Sequence, residues 1–255
     1  MNLEKLGIAK ECVHIYDEID STNLAAIRRA RERRGSEIEV FIARSQSAGR
    51  GRLGRSFVSV PGAGVYLSLL IPSDGCHADT LTARAAVAVA TALDSLLGTE
   101  SKIKWVNDIY LSGKKLCGIL VEAVTSTDGK ITDFVVGMGT NVYKSAITDE
   151  ISDIATSLED NGILLDGTDE LIYTIAERFV KGNTRSYDRD TLLSEYRRRS
   201  MLDGVEIEVF PITGDPYEAT ALGINDDFTL KVKLTSGEIR SLSSGEVKTK
   251  IKAQT

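Results

Sequence analysis

The stretch "QSAGRGRLGRSF", residues 46–57, decides the fold class, because its glycines at 49, 51 and 54 have the G-x-G-x-x-G spacing of a dinucleotide-binding turn. That reading needs a helix opening directly after the glycines, its N-terminal dipole facing a pyrophosphate, and an acidic residue about 20 positions further on. Here the chain continues as "RSFVSVPGAGVYL", which is strand-like and broken by Pro61. A dinucleotide turn is therefore not expected. What remains is a loop in which Gly49, Gly51 and Gly54 give backbone freedom while Arg50, Arg52 and Arg55 present guanidinium groups suited to bidentate contact with phosphate or carboxylate. Such a loop can close over a small anionic ligand; a merely solvated basic loop is the bland alternative.

Upstream of the loop, "DEIDSTNLAAIRRARERRG" starts with capping residues at Asp20, Ser21 and Thr22 and runs to Gly35, which predicts a helix. "EVFIARS" then reads as a strand. Downstream, "GVYLSLLIP" is an apolar strand closed by Pro72, and "DTLTARAAVAVATALDSLLG" is a buried, Ala-rich helix ended by Gly98. The segment from Lys102 to Val142 alternates strand-like runs with Asn-Asp, Ser-Gly and Asp-Gly turns, the pattern of consecutive hairpins. Residues 169–182 and 188–199 have helical periodicity. After Leu202 the pattern changes to short β-runs separated by turns at Thr213-Gly214-Asp215, Asn225-Asp226-Asp227 and Ser236-Gly237. That spacing predicts a small barrel of about 50 residues, and hence two domains, 1–202 and 203–255.

With 255 residues, 42% of them hydrophobic and 27% charged, the chain can bury a sizeable core and is no candidate for disorder. A net charge of −6 argues against a surface that binds nucleic acid as a polyelectrolyte, so any basic site must be local. The basic runs at Arg28–Arg34 and Arg197–Arg199 are expected to be solvated helix faces. Neither a secretion signal nor a membrane span is expected, since the apolar stretches are interrupted by Arg84 or by Ser68 and Pro72. Cys12, Cys76 and Cys117 are odd in number and lack C-x-x-C spacing, which fits reduced thiols and a cytoplasmic protein.

The motifs "EIDSTN", "QSAGRGRLGRSF", "KWVNDIYLSGKKLCGILVE", "GMGTNV", "ATSL" and the terminal "GEV" occur in an order that resembles the biotin–protein ligases, over almost the whole chain. The resemblance implies an α/β (α+β) fold: a mixed sheet flanked by helices, similar to class II aminoacyl-tRNA synthetase cores, followed by an SH3-like β-barrel. It implies a reaction in two steps, activation of biotin by MgATP to biotinyl-AMP, then transfer to a carrier lysine. It assigns Lys115 and Arg52 to the chemistry. Ser21, Thr22, Asn23, Gln46, Gly49, Arg50, Arg52, Lys115, Gly118 and Gly139 would bind biotin, with Gly137 also giving it room. Arg50, Arg52, Arg55, Phe57, Lys104, Asn107, Lys115 and Asn141 would bind ATP or the adenylate, and Asp108 the magnesium ion. Phe57 and Trp105 would be site walls. The chain departs from the family pattern at Val106, Phe57 and Thr140, where Pro, Trp and Ile are usual.

The partner implied is a biotin carboxyl carrier domain of acetyl-CoA or pyruvate carboxylase, with an open strand edge available to a carrier strand or to a second copy in a homodimer. Only 14 residues precede "IYDEID", which implies the short form without a DNA-binding helix-turn-helix. A lipoate or octanoate ligase of the same fold, and a non-enzymatic biotin sensor, are the alternatives.

Overall fold

The computed structural model describes residues 3–33, 35–74, 76–182 and 188–243, with the backbone of 247–251. Arg34 and the Gly245-Glu246 pair of the terminal motif lie outside the described residues.

A seven-stranded sheet carries the molecule. Its strands are β1 (Val13–Tyr16), β2 (Glu39–Ala43), β3 (Gly64–Pro72), β4 (Lys102–Lys104), β5 (Asp108–Leu111), β6 (Lys114–Thr125) and β7 (Ile131–Asn141), in the order β1-β2-β3-β7-β6-β5-β4. β1 and β2 pair in parallel and the other neighbours antiparallel, so the sheet is mixed. The hairpins expected after Lys102 are there for local reasons: Ser112 and Gly113 both have positive φ (49° and 80°), as a two-residue β5–β6 turn requires.

Helices cover both faces. α1 (Thr22–Glu32) lies on one face, where Ala25 and Ala26 meet Phe41, Leu70, Val124 and Val135. α2 (Leu81–Leu97) covers the other and ends on Gly98, whose left-handed φ of 63° lets its N–H reach the Asp94 carbonyl. By length and composition Ala78–Leu97 would suit a membrane span, but 67% of it is buried in the fold, where it serves as the core helix. α3 (Asp169–Gly182) and α4 (Arg189–Arg199) pack against α2.

A second sheet, antiparallel and five-stranded, follows: β8 (Glu206–Pro211), β9 (Tyr217–Ile224), β10 (Leu230–Leu234), β11 (Ile239–Leu242) and β12 (Val247–Ile251), ordered β11-β10-β9-β8-β12. Ile207, Val209, Ala221, Leu230 and Val232 belong to the same continuous core as α2 and the large sheet.

Two expectations need correcting. α1 stops at Glu32, three residues before Gly35, because Arg33 turns extended and buries its guanidinium against Asp133 and Glu39, at 3% side-chain exposure. Nor are the basic runs wholly solvated: Arg199, 4% exposed, clamps α4 to Asp94 of α2. Burying an arginine is tolerable only with such partners, and in each case one of them, Asp133 for Arg33 and Asp94 for Arg199, lies at least 100 positions away.

Candidate active site

Strand alternation gives the two faces of the large sheet different tasks. Leu70, Val124 and Val135 face α1, so Tyr66 and Ser68 on β3, Gly137 and Gly139 on β7, and Leu120 and Glu122 on β6 share that face. Gly118 stands opposite Gly139, Leu120 opposite Gly137, Asp108 opposite Gly118, and Lys104 opposite Asp108. Lys115 joins them through a bulge: Cys117 pairs with Ile109 but Lys115 pairs with Tyr110, leaving Leu116 as the extra residue. Leu116 and Cys117 both enter the α2-side core, and Lys115 is thereby turned to the α1 face.

The three glycines at the N-terminal end of α1 leave a depression. Its inner lobe, a cavity of about 60 Å³, is walled by Ser21, Thr22, Asn23 and Gln46, floored by Gly118, Gly137 and Gly139, and roofed by Arg50, Arg52 and Phe57. An outer lobe of about 330 Å³ adjoins it, lined by Arg52, Arg55, Phe57, Lys104, Trp105, Asn107, Asp108, Tyr110 and Lys115. Arg52, Phe57, Asn107 and Lys115 border both lobes.

Hydrogen bonds hold the inner wall in place. Thr22 N donates to Gln46 Oε1 at 2.8 Å and Gln46 Nε2 donates to Ser59 Oγ at 2.8 Å. Ser68 Oγ donates to Asn23 Oδ1 at 2.6 Å and lies 2.7 Å from Thr22 Oγ1. Ser21 occupies the N-cap position, but its side chain makes no cap bond, and the hydroxyl stays at the wall of the lobe. A β-carbon on Gly137 would collide with Asn23, and one on Gly139 would sit 2.7 Å from the Phe57 ring. The floor must be glycine for the wall and roof to come this close.

The Gly-Arg loop is itself folded. Arg50 bridges to Ser56, Gly51 N donates to Arg55 O at 2.7 Å, and Phe57 N donates to Gly49 O at 2.8 Å. A side chain on Gly49 would strike the Phe57 carbonyl, and Gly54 has a left-handed φ of 73°. Leu53 at the tip is also left-handed, at 55°.

In the outer lobe, Lys115 Nζ is 2.7 Å from Asp108 Oδ1, and Arg52 Nη1 donates to Asn107 Oδ1 at 2.9 Å. Burial works to lower the basicity of Arg52 and the Asp108 charge works against it; a guanidinium still keeps its proton at neutral pH. Tyr66 and Tyr110 are both pushed up to about 12 by burial, so they remain neutral phenols. Lys104 lies over the Tyr110 ring, 5.7 Å from its centroid. The turn carrying Lys104 to Asp108 is buttressed by the β9–β10 turn and by α4. Trp105 Nε1 donates to Phe228 O at 3.0 Å, Tyr196 donates to Val106 O at 3.0 Å, and the Tyr196 and Phe228 rings meet edge to face. The Trp105–Val106 peptide is cis.

Most of the residues singled out from the sequence thus converge. Asn141 does not: its side chain is buried and donates to the Thr156 carbonyl, lining neither lobe. Thr140 is fully buried opposite Cys117 on the α2 face, away from the site. Sequence reasoning missed Tyr66, Ser68, Leu120, Glu122 and Met138. The one available signal was Ser68, a hydroxyl in an otherwise apolar strand.

The biotin/lipoate A/B protein ligase family model matches residues 17–141. The chain is 30% identical over 241 residues to the bifunctional ligase/repressor BirA of Bacillus spizizenii, covering 91% of this chain and 73% of that protein. It is 28% identical over 245 residues to the biotin–[acetyl-CoA-carboxylase] ligase of Mycobacterium tuberculosis, covering 91% of this chain and 87% of that one. Among solved structures, the biotin protein ligase from Aquifex aeolicus in complex with biotin and ATP aligns with a TM-score of 0.77 at 25% identity, over 94% of this chain and 99% of that chain. By its motifs, its fold and these relatives, the chain belongs to the biotin protein ligases of the biotin/lipoate A/B protein ligase family.

Proposed function

We infer that the chain is an ATP-dependent biotin ligase that forms biotinyl-AMP and passes biotin to a lysine of a biotin carboxyl carrier protein. The observation that carries the assignment of residues is the pair of contiguous lobes. The inner one has hydroxyl, amide and glycine surfaces for an uncharged ring; the outer one is rich in cations; Lys115 and Arg52 stand at their junction.

On this reading the biotin ring lies on Gly118, Gly137 and Gly139 beside Ser21, Thr22, Asn23 and Gln46, and its carboxylate reaches Lys115 and Arg52. A carboxylate oxygen attacks the α-phosphorus of ATP, the bond from that phosphorus to the bridging oxygen breaks, and pyrophosphate leaves. Little covalent work falls to the protein, and the barrier drops through positioning and through cations beside the developing charge. Lys115 supplies the cation where carboxylate and α-phosphate meet, Arg52 holds the adenylate once it is made, and Arg55 and Lys104 lie toward the departing phosphates, with Trp105 and Phe57 as walls. A carrier lysine then attacks the acyl carbon, loses its proton, and AMP departs.

Magnesium comes in with ATP on this reading. Asp108 is the single carboxylate among the described lining residues of the outer lobe, with the Asn107 amide beside it, and no group of three His, Cys, Asp or Glu that could hold a metal occurs among the described residues. One carboxylate plus substrate phosphates is a donor set that suits magnesium, which retains several waters. Asp108 is the residue we assign to it.

We take residues 1–202 as the ligand-binding unit and 203–255 as the small barrel that supports its Trp105 turn. The carrier is a domain of acetyl-CoA or pyruvate carboxylase. The open edge of β1, where Ile15 is 64% exposed, is the edge offered to a carrier strand or a second copy of the chain. Three free cysteines, Cys12, Cys76 and Cys117, support a cytoplasmic setting.

Biotin-dependent exchange of pyrophosphate with ATP tests the assignment, with lipoate and octanoate in parallel. Exchange with biotin alone is expected. Biotin binding without exchange, or exchange driven by lipoate or octanoate in preference, overturns it.

A further inference from the structure

Glu122 lines neither lobe, yet it touches both segments that enclose the inner one. It projects from β6 opposite Val135. Its Oε2 accepts from Asn23 Nδ2 at 2.8 Å, and its Oε1 is 2.9 Å from Arg50 Nη2. Asn23 is only 4% exposed and its amide is already engaged: Oδ1 accepts from Ser68, and Nδ2 also lies 3.5 Å from the Leu120 carbonyl. The Asn23 amide therefore cannot turn freely. By holding one carboxylate oxygen it aims the other at the loop.

Charge gives this contact a purpose. The Gly-Arg loop sets Arg52 and Arg55 beside Lys104 and Lys115 around one lobe whose single lining carboxylate, among the described residues, is Asp108. Like charges resist that arrangement until an anionic ligand arrives. Glu122 attracts the same loop from the opposite side, at the edge of the lobe that receives the uncharged part of the ligand. Its side chain is 19% exposed and that of Arg50 is 40% exposed, so the pair is partly shielded from solvent.

We propose that Glu122 is a positioning residue whose carboxylate latches the Gly-Arg loop to the start of α1 through Arg50, so that Arg50 holds the roof over the inner lobe and does not grip the ligand's charged groups. Arg52 and Lys115 then serve the charged groups alone. This rests on the biotin ligase reading for its ligand, but the latch exists without any ligand and is tested without one.

The test is a double-mutant cycle with Glu122→Gln and Arg50→Gln. Glutamine at 122 keeps the shape and an amide oxygen for Asn23, while Arg50 lies on an exposed loop, so the same pair is broken from both sides with the fold retained. Hydrogen exchange of residues 49–57 in the unliganded protein should rise in each single variant and no further in the double. Biotin affinity by calorimetry should weaken about three- to tenfold in each single variant, as for a partly exposed charge-assisted pair, and the double should be no weaker than the weaker single. The loss should fall on KM for biotin more than on kcat, and should shrink as salt is raised, because wild-type latching is itself screened. Unchanged loop exchange in Glu122→Gln overturns the latch whether or not the chain binds biotin. Additive losses in the double variant, or tighter biotin binding by Glu122→Gln, overturn it too, since either means that Arg50 acts on the ligand directly.

Discussion

Gly118→Ala displaces Lys115 without touching it chemically. Gly118 does not use the left-handed region, so alanine suits its backbone. The added β-carbon would stand 3.2 Å from both Cε and Nζ of Lys115 and 3.4 Å from Cε2 of Phe57. Comfortable carbon contacts are about 3.5–4.0 Å, so the ammonium group has to retreat by about half an ångström. A misplacement of about 1 Å can cost about a hundredfold in rate, which puts the loss here near tenfold, or about 1.4 kcal/mol on the barrier. Fold stability should barely move. Replacing a strand glycine gains about 0.5–1 kcal/mol, which offsets a slight overcrowding of about 1 kcal/mol. The assay is biotin-dependent pyrophosphate exchange at saturating substrates, with thermal unfolding measured beside it. Lys115→Ala sets the limit, a loss of about a hundred- to a thousandfold expected when a charge-stabilising group is removed. Gly118 also floors the inner lobe, so biotin affinity is measured beside the rate; exchange by Gly118→Ala at saturating biotin within about twofold of wild type refutes the placement of Lys115 at the reacting centre.

Other parts of the molecule yield separate expectations. Arg52→Gly removes the guanidinium that donates to Asn107 at 2.9 Å over the junction of the lobes. A charge-assisted hydrogen bond contributes about 1.5–3 kcal/mol, so retention of biotinyl-AMP should weaken about ten- to a hundredfold; single-turnover pyrophosphate release near normal with raised free adenylate supports this, and loss of pyrophosphate without leakage contradicts it. For Asp94, burial works to raise the carboxyl pKa, but hydrogen bonds from Ser101 and Arg199 outweigh it and hold it below the ordinary range. A depressed carboxylate stabilises the fold above the unfolded pKa, and that contribution is lost as pH falls through the folded value. Asp94→Asn should therefore cost about 2–4 kcal/mol at neutral pH, leaving the buried Arg199 guanidinium with only the Glu195 carboxylate, 3.5 Å away, as counter-charge. It should also flatten the acid limb of stability below about pH 4, the ordinary carboxylate range; urea unfolding with equal acid slopes in both proteins counts against the assignment.

Much of this architecture was legible in the chain because the deciding physics was local. Ser112-Gly113 needs only its own torsions to turn a hairpin, and Gly98 only its own φ to end α2. The Gly-Arg loop could be separated from a dinucleotide turn by the residues immediately after it. What neighbours cannot encode is the face a side chain takes once strands from distant segments choose their register. Lys114 and Lys115 are adjacent in sequence, yet the extra residue at Leu116 in the pairing with β5 sends Lys115 to the site. Ser68 and Glu122 became visible only when β3 and β6 met the start of α1, with partners 45 and 99 positions away. Arg33 was expected in a solvated helix; its partner Asp133, 100 positions on, draws it out of α1 into the core. Asn141 keeps its place in the motif while its amide turns to Thr156, because a buried polar group takes the acceptor that folding brings nearest. Composition, turn chemistry and alternation thus determined the elements and their order; strand register and long-range polar pairing decided which side chains face the ligand.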